Sequence, residues 1–311
     1  MAGKKVLAVF YSQTGQLEEV LKYSISPLIK DKLVSVTFLN LEPKTPFPFP
    51  WKVLDFLNVF PESVYCDKIE LNEFNAEKSA EFDLVIIAYQ VWFLSPSLPI
   101  SSFLQSDEAK IWLKNKPVIT IIACRNMWLM AQEKMKKLIL KNSGVLCDNV
   151  AFVDGGNSYE TFITTPRWLL TGSKEKFWFF SPPGVDKRKI AESTKFGEAI
   201  KNALRADKEK EKKSLLKGLG AVHVDEKLMM SEKMGHRGFL IWGRLLRKIK
   251  NSKIRKAVLC FYLVFLICMI IVGLPVIIIL RALLYPLLKK SLKKQKAYYE
   301  EPSGSQIIAQ G

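Results

Sequence analysis

Three short stretches carry the side chains able to do chemistry. Ser12, Gln13, Thr14, Gly15 and Gln16 interrupt an apolar run that starts at Val6. A helical pattern follows, in which Leu17, Val20, Leu21 and Leu28 share one face. Hydroxyls and backbone N–H groups at a helix N-terminus favour an anion, a phosphate above all, because the positive end of the helix dipole lies there. Gln90, Val91, Trp92 and Phe93 close a second apolar run, and Cys124, Arg125 and Asn126 close a third. Both histidines, His223 and His236, lie beyond residue 200. The first 200 residues therefore contain no Ser-His or Cys-His pair to activate a nucleophile.

Bringing these stretches together requires a parallel sheet. Apolar, β-rich runs alternate with helical patterns through the first 200 residues. Strands are expected at 6–11, 33–39, 84–89, 118–124 and 149–153, and helices near 16–30, 99–113, 128–142 and 186–205. The expected fold class is α/β, a three-layer sandwich around a five-stranded parallel sheet, with C-terminal amphipathic and membrane-inserting helices. Ligands of such open sheets sit beyond the carboxyl ends of the strands, where the three stretches fall. Two insertions depart from a minimal version. Residues 42–81 contain PFPFPW and a short helix around 51–60, too long for a plain connection and so functional or an edge cover. Residues 161–180 are rich in aromatics and read as a lid over an exposed sheet edge, in preference to a substrate pocket or membrane-contacting flap.

The net charge of +17 is not spread evenly. Residues 1–200 hold 24 basic against 22 acidic side chains, whereas 201–256 hold 17 against 6. The excess flanks the uncharged block 257–280, AVLCFYLVFLICMIIVGLPVIIIL, which as a helix reaches about 36 Å, enough to cross a hydrocarbon core of about 30 Å. A membrane anchor explains the charge, and nucleic acid is not expected as a partner. The divisions are a globular domain (1–206), a charged linker (207–237), a basic amphipathic interfacial helix (238–256), a membrane-inserting segment (257–288) and a basic, then polar, tail (289–311). Basic residues flank both ends of the block, so a single span and a re-entrant insertion are both open. Five scattered cysteines without a C-x-x-C pair form neither a disulfide framework nor a zinc site, and no secretory signal opens the sequence; a reducing, cytoplasm-facing domain is expected.

The order and content of SQTGQ, DLVIIAYQVWFLSPSLPISSFL and PVITIIACRNMW resemble the flavodoxin-like superfamily, which binds FMN, over about residues 4–205. Within it, SQTGQLEE, FPFPW, YQVW and CRNMW look closest to membrane-tailed bacterial flavodoxin-like proteins sometimes catalogued as dialkylresorcinol condensing enzymes. The resemblance implies that Ser12, Thr14, Gly15 and Gln16 hold the FMN phosphate, with Gln13 adding its backbone N–H. Leu17 stands where the family commonly carries another hydroxyl. Gln90, Val91 and Trp92, with Phe93 beside them, would cover one face of the flavin, and Cys124, Arg125 and Asn126 the other edge. A cation at Arg125 would favour the anionic reduced flavin or grip a substrate carboxylate. The implied protein is an oxidoreductase or electron-transfer protein at the bacterial inner membrane, facing the cytoplasm. Its partners would be anionic membrane lipids, a quinone or lipid-like aromatic acceptor, and a redox partner protein. Two other readings stand beside it: an FMN-free membrane adaptor for biosynthetic enzymes, supported by Leu17, and a condensing enzyme, which would need a cysteine partnered by a histidine.

Overall fold

In the computed structural model, which describes residues 3–156 and 160–304, the apolar runs become a sheet of β1 (Lys4–Phe10), β2 (Val34–Asn40), β3 (Leu84–Trp92), β4 (Ser95–Pro96), β5 (Pro117–Cys124) and β6 (Val145–Val153). Their order is β2-β1-β3-β5-β6, all parallel, with the two-residue β4 antiparallel to the end of β3. This is the flavodoxin-like order, with its switch point between β1 and β3. Val6–Val9, Leu84–Tyr89 and Val118–Ile122 are buried because helices cover both faces, which is why these strands read as continuous rather than alternating apolar runs.

The helices are α1 (Gln16–Ser24), α2 (Ser26–Ile29), α3 (Val53–Asn58), α4 (Phe60–Tyr65), α5 (Leu98–Phe103), α6 (Asp107–Trp112), α7 (Leu129–Lys141), α8 (Thr161–Thr171), α9 (Lys187–Glu192), α10 (Thr194–Arg205), α11 (Glu226–Lys248), α12 (Ser252–Cys268) and α13 (Leu274–Glu300). Three helices expected as single pieces are divided. Pro27 sits in the first turn of α2, Ser106 caps α6 by accepting from the Ala109 N–H at 3.1 Å, and Ser193 separates α9 from α10. Gly197 lets α10 cross the α1–α2 junction closely: a Cβ there would lie 2.3 Å from the Ser24 carbonyl oxygen. Inside, Tyr89 Oη donates to Gln132 Oε1 at 2.7 Å, Gln132 Nε2 to Thr120 Oγ1 at 3.0 Å, and Thr120 Oγ1 to Asn149 Oδ1 at 2.9 Å. This buried polar chain ties α7 to the middle of the sheet.

The stretch 207–237, expected as a charged linker, is not a free one. Leu216, Ala221, Val222 and Val224 are buried in the main core, and the Ala151 N–H donates to the Ala221 carbonyl at 2.9 Å, so the chain covers the β6 edge. At the other end of β6, the buried Asp148 carboxylate accepts from Ser214 Oγ (2.6 Å), Leu215 N–H (2.7 Å), Leu216 N–H (3.2 Å) and Ser303 Oγ (3.1 Å). The expected interfacial helix also differs: α11 starts earlier and packs Gly243 and Leu246 on α4, leaving Ile241 and Leu245 exposed. Buried Glu232 of α11 accepts from the Met130 N–H at 2.7 Å and so caps the start of α7. Helix α12 continues through a π-helical turn, Met269–Gly273, into α13. Among the described residues one helix, Ser252–Leu280, is long and apolar enough to cross a membrane, with mean hydropathy 3.3 in its richest window.

Candidate functional site

The β1–α1 turn is shaped by Gly15, whose φ of +79° is open to glycine and strained for any other residue. An added Cβ there would meet nothing within 4 Å, so the backbone faces open space. Ser12 Oγ accepts from the Glu18 N–H at 3.2 Å and keeps its own proton to donate. The N–H groups of the first residues of α1 have no partner within the helix, by the geometry of every helix start. The hydroxyl of Thr14 is buried with no partner.

A cleft of about 180 Å³ opens above this turn, at the switch point. Of the residues expected there, Gln13, Thr14, Gln16, Leu17, Gln90, Val91, Trp92, Cys124 and Arg125 line it. Leu17 is fully buried and forms floor rather than ligand. Trp92 is held edge-on to Tyr11 (6.0 Å), Phe47 (5.0 Å) and Trp51 (6.0 Å), which fixes it as a wall. Four expected residues do not line the cleft: Gly15, which shapes the turn, and three that face elsewhere. Ser12 supports the turn from behind. Phe93, with φ of +48°, turns away to pack at a tilt against Phe56 (4.6 Å) and Phe60 (5.3 Å). Asn126 lines the neighbouring hollow between β6 and α10, both of its amide atoms buried and unpartnered.

The glutamines of the turn are already engaged. Gln13 Nε2 donates to the Pro48 carbonyl at 2.9 Å, and its Oε1 accepts from Trp51 Nε1 at 3.0 Å. Gln16 Oε1 accepts from the Val185 N–H at 3.2 Å. These bonds draw the Pro-rich insertion and the segment before α9 over the site. The Trp51 N–H donates to the Leu169 carbonyl at 2.9 Å, and Phe49 meets Trp168 edge-on at 6.4 Å. Helix α8, expected over a sheet edge, instead roofs the cleft with Thr165, Trp168 and Leu169.

Sequence reasoning missed Asp154, Thr165 and Gly184. Asp154 accepts from the Gly156 N–H (2.9 Å) and the Gly184 N–H (2.8 Å), and burial raises its pKa despite those bonds. The one available signal was Asp154-Gly155-Gly156 at a strand end, a turn signature at the sheet edge that binds ligands. Arg125 stands 3.9 Å above the Phe162 ring. Burial pulls its pKa down to about 10, against the opposing pull of Cys124 and Asp154, so it stays cationic at neutral pH. Burial pushes the Cys124 thiol far up, which keeps it protonated and a poor nucleophile.

Buried, unpartnered Thr14 Oγ1, Gln90 Oε1 and Thr165 Oγ1 thus converge on one cleft beside a fixed cation and a glycine-lipped helix start. That donor set fits a phosphate-bearing planar ligand of the FMN kind.

No family model and no curated protein matches the chain. Among solved structures it is similar to a flavoprotein in complex with FMN from Lactobacillus acidophilus NCFM (TM-score 0.39, 16% identity, 48% of this chain and 93% of that one). It is also similar to a putative flavoprotein from Bacteroides uniformis ATCC 8492 (0.37, 16%, 54% and 98%) and a flavodoxin from the domain Archaea (0.36, 9%, 65% and 99%).

Proposed function

We propose that the chain is an FMN-binding redox protein held at a membrane, passing electrons to or from a quinone or lipid-like aromatic acceptor. The observation that carries the flavin half is the convergence of Thr14, Gln90 and Thr165, three buried polar atoms without partners, on the cleft at the switch point. FMN would supply one- and two-electron chemistry that these side chains lack. Thr14 and the N–H groups of Gly15 and Gln16 would hold the phosphate, with Ser12 bracing the turn from behind. Gln90 and Thr165 would satisfy polar ring atoms, Trp92 would limit ring movement, and Arg125 would attract negative charge developing nearby. The membrane half draws on the apolar helix and on a row of rings. Phe56 of the cleft wall packs at a tilt against Phe93, Phe93 against Phe60 (5.3 Å), and Phe60 stacks on Tyr262 of α12 (4.9 Å). Only Phe93 and Phe60 therefore separate the cleft wall from the apolar segment.

A second reading, the FMN-free adaptor, is favoured by the cleft volume. About 180 Å³ is below the roughly 300–1,000 Å³ of ordinary ligand pockets, and the Gln16 amide fills space beside Gly184. For FMN to enter, α8 must lift. The deciding experiment is a visible-absorption titration of detergent-purified full chain with FMN, beside Thr14→Val. Saturable binding weakened about tenfold or more in the variant, on the order of the loss of one hydrogen bond to a charged group, supports the flavoprotein. A chain that ignores FMN makes the adaptor the better reading.

A further inference from the structure

We infer that the apolar segment is a re-entrant insertion into one leaflet of an anionic bilayer rather than a span, so that both its flanks stay on the face that carries the domain. This rests on the membrane half of the proposed function and not on its flavin half.

Both flanks are fixed to the same globular body. On the entry side, Arg255 donates to Asn58 Oδ1 (2.8 Å), the Asn58 carbonyl (3.0 Å) and Glu62 Oε1 (2.7 Å), and Leu259 and Tyr262 are buried against Phe60 and Leu246. On the return side, Tyr285 and Leu288 pack on the main core, Leu292 and Tyr299 are buried within it, and Tyr298 Oη donates to Glu133 Oε2 at 3.0 Å. Ser303 closes the return, fully buried, accepting from the Asn149 N–H at 2.7 Å and donating to Asp148. A segment crossing the bilayer would deliver its second flank to the opposite surface, and every one of these return contacts would be lost.

The dimensions suit one leaflet. Between Tyr262 and Tyr285 lie residues 263–284, about 33 Å of helix, or about 16 Å per limb if bent at the middle. Half of a hydrocarbon core is about 15 Å. The middle is where the chain carries its bending devices, the π-helical turn Met269–Gly273 and Pro275 in the first turn of α13. The backbone stays helical through the turn, so hydrocarbon meets no orphaned N–H or C=O groups beyond those a proline frees. Exposure runs along both limbs, from Val264, Ile267 and Ile271 to Val276, Ile279 and Leu283, as lipid contact requires. Charge agrees: Lys250, Lys253 and Lys256 precede the segment and Lys289, Lys290 and Lys293 follow it, so a re-entrant path sets both groups against one anionic surface, whereas a span would leave one on the far side.

The test uses the full chain with one tag before Met1 and another after Gly311, in bacterial inner membranes treated with an impermeant protease. Both tags cleaved in inverted vesicles and both protected in spheroplasts is the expected result. Tags on opposite sides overturn the inference, as does release of the chain by alkaline carbonate, which would mean surface attachment only. A detergent-purified chain that dimerises through Cys268 and does not partition into phosphatidylglycerol vesicles also overturns it, since the apolar face would then belong to a second copy. Because tags can disturb insertion, nitroxides at Val264→Cys, Ile271→Cys and Leu283→Cys, in a Cys260→Ser/Cys268→Ser background, give an independent reading. Position 271 should be deepest and 264 and 283 equally shallow; depth that progresses from one interface to the other overturns the inference. Neither readout depends on whether FMN binds.

Discussion

Glu232 is a single carboxylate that joins two parts of the chain, because it sits on α11 and caps the helix that follows Arg125 and Asn126. Burial pushes its pKa up to about 8, against the pull of the α7 backbone N–H groups. The folded state therefore prefers the protonated form. Stability from this preference is complete below the ordinary carboxylate range and is lost as pH rises through about 8. Thermal unfolding of the natural chain should lose on the order of 2–4 kcal/mol from about pH 5 to 9 relative to Glu232→Gln. Lys134, pulled down to about 8 by burial, acts with opposite sign from about pH 8 upward and so overlaps only the top of this window. His236, held down to about 4 by burial and the nearby lysines, opposes it at the acid end. The difference between the two proteins is thus the quantity to measure, and parallel curves would refute the assignment. Gly15→Ala should fold with about 1 kcal/mol less stability in chemical denaturation, since a left-handed φ strains any Cβ while the space around it is open. The turn at Ser12–Gln16 was legible in the sequence because its parts are adjacent. Asp154, Thr165 and Gly184 were not, because nothing local relates Gln16 to Val185 or Thr14 to Thr165.

At the level of elements, close approach and clasping decide what each substitution does. Gly197→Ala drives a Cβ to 2.3 Å from the Ser24 carbonyl, a backbone atom that cannot swing aside. It should lose about 2 kcal/mol or more, read as a lower thermal midpoint, and an unchanged midpoint would show that α10 moves freely. Asp148→Ala strips Ser214 Oγ and the Leu215 and Leu216 N–H groups of this acceptor, leaves Ser303 Oγ only the Asn149 carbonyl, and should lose about 2–4 kcal/mol, with Asp148→Asn retaining part of it. The strands and the three-layer plan were readable because β1, β3 and β5 must be apolar on both faces. The packing of 207–237 was not, since Leu216, Ala221, Val222 and Val224 are few, small and set among lysines, with no period to betray a buried face. The aromatic insertion was recognised as a cover, but what it covers depends on Trp51 meeting Leu169, a long-range contact that no local pattern encodes.

For the molecule as a whole, the uneven charge and the apolar segment together decide what the proposed membrane attachment should withstand. Flotation of the full chain with vesicles of phosphatidylcholine and phosphatidylglycerol should survive salt near 0.5 M, where the screening length falls to about 4 Å and surface electrostatics fade. The triple variant Val264→Lys/Ile271→Lys/Ile279→Lys should instead be released by the same salt, because only the basic flanks would still hold it. The clasp at Asp148 also has a bearing on how the chain is made. Asp148 on β6 and Ser303 are 155 residues apart, so the nascent chain offers the β6 carboxylate to water long before its last partner leaves the ribosome. The apolar limbs emerge in between. If the limbs enter the bilayer as proposed, lipid would be met first and the domain sealed afterwards by the returning tail, which would make membrane targeting an early step in completing the fold.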